Sequence, residues 1–506
     1  MANDTLMLGA LWQAIITISD PVILLVIFVA SFVAVIFGLL PGLNASMLVI
    51  LILPFVFTMD AMIALPLLAA VQAVAMTGGS LTSILIGVPG TPSNAATVLD
   101  GYPMSKKGEG ARAMGVAIMA STSGGVISVM VAFLMMPLII PLVMKFRSPE
   151  LFCLIVAGLF FLATLTRGST IKGLISAGLG LLIACIGFHT KSGLERFTFG
   201  NWYLYNGVPT IVLLMAMFAL PSLVELYVQG KPVAAGKAIG TGSYLQTLRG
   251  MVDVFRHRFI WLASLVIGYI IGVIPAVGGT VSAWIAYGYA KGVSKHSEEF
   301  GKGSVEGVIA PETSNNAEQG GSMVTTLAFG IPGDGGAVLF LAAMVMVGLR
   351  PGPVMLIQKT NICFVTLLSV AVANLIAGLI CFSAVPFLDR VTRIRPFNLF
   401  CFTLPLIFVG IYSSDLQVLD IALLLIFGAI GILMKRCGFN LAALILGFIL
   451  GRLFEHYLWL SLDAFGPLFW TSPICLALLI SVFLTLTKDI WMPFISRLKG
   501  GVKKSL

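Results

Sequence analysis

Apolar residues along this chain come in long unbroken runs, not with the alternation of a half-buried strand or the one-sided stripe of a surface helix. Crossing the hydrocarbon core takes a helix of about 20 apolar residues. By that measure the first half holds segments near 22–40, 43–58, 61–88, 113–144, 150–166, 171–188 and 207–229. The second half holds segments near 259–286, 320–347, 361–388, 397–412, 418–434, 439–455 and 467–487. The pattern predicts an all-α integral membrane protein of about 11 to 14 transmembrane or re-entrant helices.

Polar interruptions divide the chain. Residues 230–258 carry Lys231, Lys237, Arg249, Arg256 and Arg258 against the single acid Asp253. By the positive-inside rule this stretch is a cytoplasmic linker. It separates a first membrane repeat, 1–229, from a second, 259–506, which ends in a basic tail with Arg497, Lys499, Lys503 and Lys504.

The halves share their punctuation. Gly38-Leu39-Leu40-Pro41-Gly42 ends an apolar run, and Gly87-Val88-Pro89-Gly90 follows later. In the second half Gly272-Val273-Ile274-Pro275-Ala276 ends a run, followed by Gly330-Ile331-Pro332-Gly333. Proline and glycine inside spanning segments release backbone N–H and C=O groups, which hydrocarbon does not tolerate unless protein or a polar cavity encloses them. Paired breaks of this kind mark a transporter's binding site, because half-helix N-termini present free N–H groups and a positive dipole end to an anion.

The residues flanking the breaks suit a carboxylate ligand. Candidates to bind it are Gly42, Asn44, Ser46, Gly90, Thr91, Ser93 and Asn94 in the first half, and Gly278, Gly279, Asn315, Asn316, Gly320, Gly321 and Gly333 in the second. Amides and hydroxyls orient a carboxylate without a fixed charge, and glycine admits close approach of the backbone. Each glycine or serine also has a plainer reading as a small residue that lets helices pack closely. Carboxyl groups near the breaks are Asp100, Glu306, Glu312, Glu318 and Asp334. Burial of such a group calls for a cation, a proton or a partner, and Glu312 and Asp334 are the coupling-ion candidates. Glu306 shares a polar stretch with Glu298, Glu299, Lys291, Lys295 and Lys302 and reads as part of a solvated loop.

Composition agrees with the pattern. Of 506 residues 58% are hydrophobic and 10% charged, where soluble proteins carry about 25% charged. The net charge of +9 sits in short stretches between apolar runs, which reads as membrane topology and not as a nucleic-acid-binding face. The N-terminus has no basic region ahead of its apolar run, so the first segment is expected to stay as a spanning helix and not to be cleaved. Seven scattered cysteines and four scattered histidines show no metal or redox spacing, and no cofactor is indicated.

The stretches Gly87-Val-Pro-Gly-Thr-Pro-Ser-Asn-Ala-Ala-Thr-Val-Leu-Asp-Gly-Tyr-Pro103 and Gly301-Lys-Gly-Ser-Val-Glu-Gly-Val-Ile-Ala-Pro-Glu-Thr-Ser-Asn-Asn-Ala-Glu-Gln-Gly-Gly321 resemble the large membrane (permease) subunit of the tripartite tricarboxylate transporter family. Phe329-Gly-Ile-Pro-Gly333, Gly348-Leu-Arg-Pro-Gly-Pro353, Arg196-Phe-Thr-Phe-Gly200 and Leu446-Gly-Phe-Ile-Leu-Gly451 extend the likeness over nearly the whole chain. The resemblance implies a multi-pass protein of the bacterial inner membrane that imports small carboxylates by cation symport, with Na+ or H+ as coupling ion. It also implies two partners, a small four-helix membrane subunit and a periplasmic solute-binding protein. The chain departs from the family's further glycines with Asn44-Ala45-Ser46 after the first break and Ala276 after Pro275. The alternatives are a passive organic-anion channel and an intramembrane enzyme; for the latter no Ser/Lys, paired Asp or His/Glu set has helical spacing.

Overall fold

A computed structural model describes residues 2–39, 45–87, 89–165, 169–189, 191–229, 244–275, 277–387, 401, 404–405, 407–409, 411–412 and 417–487. Pro41, Gly42 and Asn44, the linker ahead of Tyr244 and the basic tail lie outside the described residues. Almost every described element is a helix. In chain order they begin α1 Ala2–Ile18, α2 Pro21–Leu39, α3 Ala45–Val56, α4 Ala61–Ile86, α5 Ala95–Met104 and α6 Gly110–Val143. Next come α7 Ser148–Leu165, α8 Thr170–Ala184, α9 Thr210–Leu214, α10 Leu220–Gln229, α11 Tyr244–Arg256 and α12 Arg258–Val273. They continue as α13 Gly278–Val293, α14 Val305–Phe329, α15 Gly335–Met346, α16 Pro353–Gln358 and α17 Thr360–Ala384. Val418–Arg436, Leu441–Phe465 and Pro473–Leu486 are the last described helices.

Among the described residues six helices are long and apolar enough to cross a bilayer, and α11 with α12, bent by 78°, makes a seventh if counted as one span. Shorter apolar helices accompany them, including α3 and α15 at 12 residues each. Twelve residues rise about 18 Å, too little for the roughly 30 Å hydrocarbon core. In the sequence both follow a Gly/Pro motif, and each is too short to cross alone.

The chain forms two compact units. One comprises Met1–Val143 and Pro209–Ile432, the other Met144–Val208 and Leu433–Leu506. Each unit takes chain from both sequence halves, so compactness and sequence duplication divide the protein along different lines. In the second unit α8 packs on Leu441–Phe465, and Gly180 and Gly447 let the backbones touch, since a Cβ on either would collide with a carbonyl of the facing helix. Strands β1 Gly187–Phe188 and β2 Glu195–Arg196 pair antiparallel beside it. There Arg196 forms a two-pronged bond to Glu455 at 2.8 and 2.9 Å, which raises the guanidinium above its ordinary range.

The first unit is built on a crossing made twice. A Cβ on Gly38 of α2 would strike the carbonyl of Ala75 on α4, and one on Gly272 of α12 would strike the carbonyl of Glu318 on α14. Across the same interfaces Gly78 meets the carbonyl of Val35, and Gly321 meets that of Tyr269. Thr82 Oγ1 donates to Leu39 O at 3.4 Å, and Thr325 Oγ1 donates to Val273 O at 3.2 Å. Helices α4 and α14 then end alike, on Gly87 at φ 69°, ψ 18° and Gly330 at φ 69°, ψ 22°. Only glycine takes that left-handed cap without strain, which is why the motif keeps Gly two residues before each Pro-Gly pair.

One expectation changes, that Glu306 belongs to a solvated loop. Instead residues from Val305 form the N-terminal part of α14, every residue from Gly307 to Ala328 is buried, and Glu306 pairs with His257 at 2.8 Å. Ser304 caps the helix start, and α6, α12, α13 and α4 enclose it, so its amides and carboxyls meet protein and not water. The described part of the linker, α11, is likewise helical. It buries Thr247, Gly250 and Asp253 on α6 and fixes Asp253 by an ion pair with Arg112 at 2.7 Å.

Candidate functional site

Reciprocal packing brings the breaks of the two halves together. The short helical turn Pro92–Asn94 and α5, which follow the second break of the first half, pack on α13, which follows the first break of the second half. In mirror fashion α15 packs on α3, while α4 touches α14 directly.

On the first-half side Thr91 Oγ1 lies 3.0 Å from Ser93 Oγ and donates to Asn94 Oδ1 at 2.6 Å. Asn94 Nδ2 donates to Glu312 Oε1 at 3.2 Å, Thr97 Oγ1 donates to the same oxygen, and Ser121 Oγ donates to Oε2 at 2.8 Å. Glu312, on α14, is 1% exposed and satisfied by neutral donors from the turn, α5 and α6. This network ties the halves together. Asn316 does the same one turn further on, with Nδ2 donating to Thr77 Oγ1 at 3.1 Å and to Asn374 Oδ1 at 2.9 Å.

A second knot holds the loop before α14. The Asp100 carboxylate accepts backbone N–H bonds from Gly301 and Gly303 at 2.9 Å and from Ser304 at 2.8 Å, plus the Tyr287 hydroxyl at 2.8 Å. Gly307 leaves room for it, because a Cβ there would press on the Asp100 side chain. These bonds explain why Leu-Asp-Gly-Tyr-Pro and Gly-Lys-Gly-Ser, some 200 residues apart, belong to one motif set.

The other face of α14 is different. A Cβ on Gly279, in the first turn of α13, would strike Asn315 Oδ1, and one on Gly278, at φ 73°, would stand 3.2 Å from Asp334 Cβ. Gly333 abuts Ser322. Val277, which precedes α13, makes no side-chain cap hydrogen bond to that first turn. Asp334 caps α15 instead, accepting from Ala337 N at 2.6 Å, and Gln72 Nε2 lies 3.4 Å from the same oxygen. Among the described residues, buried atoms with no hydrogen-bond partner gather here. They are both side-chain atoms of Asn315, both carboxyl oxygens of Glu318, Ser322 Oγ, Gln319 Oε1 and Gln72 Oε1.

Of the residues singled out from sequence, Gly278, Gly279, Asn315, Gly333 and Asp334 meet around the α13 N-terminus. Thr91, Ser93, Asn94 and Glu312 form the adjoining network, with Asn316 close by. Gly90 packs on Gly79 and Gly38 at the break itself, Gly320 packs on Ser128 of α6, and Gly321 on Tyr269 of α12, the plainer reading of small residues. Ser46 lies in the first turn of α3, half-buried. Sequence reasoning named Glu318 among the carboxyl groups near the breaks without choosing it as a coupling-ion candidate, and did not single out Gln72. Their polar position inside a helix was visible, but their neighbours come from elements 16 to 262 residues away. Basic residues near the segments have other partners: Arg112 pairs with Asp253, Lys172 donates to Cys437 O, and Arg452 to Asn206 O.

Interrupted helices, repeated in two halves and enclosing unpartnered polar groups, define a multi-pass membrane transporter architecture. Specifically, the chain belongs to the tripartite tricarboxylate transporter TctA family, whose model matches residues 24–446. It is 30% identical over 468 residues, 92% of each chain, to an Agrobacterium vitis protein named "Uncharacterized 52.8 kDa protein in TAR-I ttuC' 3'region". A second Agrobacterium vitis protein, "Uncharacterized protein in TAR-II ttuC' 3'region", is 30% identical over 217 residues, 42% of this chain and 89% of that one. No solved structure matches. The protein is thus a membrane component of a tricarboxylate-type transporter that works with partner proteins.

Proposed function

We propose that this chain is the permease that carries small carboxylates across the bacterial inner membrane by cation symport. The observation that carries the reading is the uncapped N-terminus of α13 beside Asn315, facing the Thr91–Asn94 turn of the other half. First-turn N–H groups, the positive end of the helix dipole and a free amide together provide a carboxylate site with no fixed cation. Neutral donors bind the anion without holding it permanently. The candidate ligand-facing residues are Gly278, Gly279, Asn315, Ser93 and Thr91, together with Ser46 of α3.

A driving ion follows from charge. Each elementary charge moved through 100 mV exchanges about 2.3 kcal/mol, so a trianion entering a negative-inside cell is opposed by roughly 7 kcal/mol. Accompanying cations remove that barrier, and Na+ or H+ is the coupling ion. The small four-helix subunit and the periplasmic solute-binding protein deliver substrate to this site. Asn94 and Asn316 hold the halves in register, so their bonds are expected to change as the site opens to either side.

The test is uptake in proteoliposomes with a panel of mono-, di- and tricarboxylates, with and without the small subunit and a cognate binding protein. Accumulation that collapses with the ion gradient is the expected result. Flux that only equilibrates substrate would make the chain a channel, and chemical conversion of a carboxylate by the purified protein would make it an enzyme.

A further inference from the structure

Glu318 is the least compensated charge-bearing group in the described structure. It is 0% exposed, and neither carboxyl oxygen has a partner among the described residues. Glu312, earlier on the same helix, has at least three donors. A buried carboxylate without donors or counter-charge is strongly unfavourable, so a proton or a ligand beyond the described residues must compensate it.

The surroundings say what. Asn315, Glu318 and Ser322 stand at i−3, i and i+4, on one face of α14. All three are nine-tenths or more buried, and all three end in unpartnered polar atoms. Gly279 bounds the Asn315 end, and Gly333, next to Asp334 in the chain, bounds the Ser322 end. Four unpartnered oxygens (Asn315 Oδ1, Glu318 Oε1 and Oε2, Ser322 Oγ) are more than one proton satisfies. Several oxygens around one carboxylate suit a dehydrated hard cation. Asp334 Oδ1 is committed to the α15 cap and Gln72, so Glu318 is the carboxylate free to ligate directly, and one ligating carboxylate matches a monovalent ion.

We propose that Asn315, Glu318 and Ser322, beside Asp334, hold a Na+ ion, and that this ion is the coupling cation. This identification as coupling ion rests on the symport reading above. Placed on the α14 face next to the α13 N-terminus, the ion and a bound carboxylate favour each other, so each tightens the binding of the other. In the first half the equivalent positions on α4 are Gln72, Ala75 and Gly79, so the duplicated fold holds this cation site once.

The test is binding of radioactive Na+ to the purified full-length protein without carboxylate, at ionic strength held with choline chloride. Wild type is expected to bind Na+ saturably. Ser322→Ala should weaken binding roughly tenfold and Glu318→Gln by more than that, while Asp463→Asn, an exposed acid in the other compact unit, binds as wild type. Thermal unfolding in choline chloride alone checks that the variants fold; if Glu318→Gln does not, Ser322→Ala decides. Absence of saturable Na+ binding in wild type, or a proton taken up in place of Na+, overturns the proposal. So does unchanged affinity in folded Glu318→Gln or, where that variant fails, in Ser322→Ala. Na+ binding through Glu318 in a protein that moves no carboxylate would remove the transport reading and leave the site. Na+-driven uptake that persists in Glu318→Gln would remove the site and leave the transport reading.

Discussion

The two halves of the first compact unit share a backbone and differ in chemistry. Gly38 on Ala75 repeats as Gly272 on Glu318, Gly78 on Val35 repeats as Gly321 on Tyr269, and Gly87 repeats as Gly330. Within that common frame the side chains diverge. Thr91 of the first half stands where the second half has Asp334, and Ala75 stands where it has Glu318. Backbone crossings thus define the repeat, and a few substitutions on α14 and at the break give the second half its charge. Duplication provides two half-sites that converge; divergence makes one of them acidic.

The largest effect is expected where the frame is tightest. Gly38→Val and Gly272→Val each drive a side chain into a backbone carbonyl, at a cost of about 3 kcal/mol or more. Both variants should lose the monodisperse folded peak on size-exclusion chromatography. Tolerance of one and loss of the other would show that the two crossings are not equivalent.

Asp100 has no acidic counterpart in the second half, where the equivalent residue is Ala343. Asp100→Ala removes the acceptor of three backbone N–H bonds and should cost about 2–3 kcal/mol, read as a lower thermal midpoint. Asn316→Leu leaves Thr77 and Asn374 without its donor and should reduce uptake by roughly tenfold, a loss of about 1.4 kcal/mol. Full uptake would reassign Asn316 to packing. The smallest and most diagnostic change is Thr82→Val against Thr325→Val. Each deletes one hydroxyl bond across its crossing, and each should cost about 0.6 kcal/mol. Unequal losses would break the equivalence at its finest level.

Much of this frame was legible in the sequence because glycine and proline act locally. Gly87-x-Pro-Gly and Gly330-x-Pro-Gly stop a helix by their own backbone preferences, whatever lies around them. Asn94 stood out as an amide just after the first of those stops, and Asn315 as one in the polar run that precedes the second. What the sequence hid was partnership at long range. Glu306 looked solvated because lysines flank it, yet His257 pairs with it across 49 positions. Glu312 and Glu318 look alike in sequence, and only the elements folded against each separate a satisfied carboxylate from an unpartnered one. Gly320 and Gly321 carried both readings until α6 and α12 were seen to occupy the space beside them.

The central claim is that a carboxylate binds between the halves at the uncapped end of α13. Cryo-electron microscopy of the transporter with a transported carboxylate and Na+ tests it most directly. The expected map shows the carboxylate against Gly278, Gly279 and Asn315, facing the Thr91–Asn94 turn. Ligand density bound only in the unit formed by 144–208 and 433–506, with the α13 N-terminus bare, would contradict it.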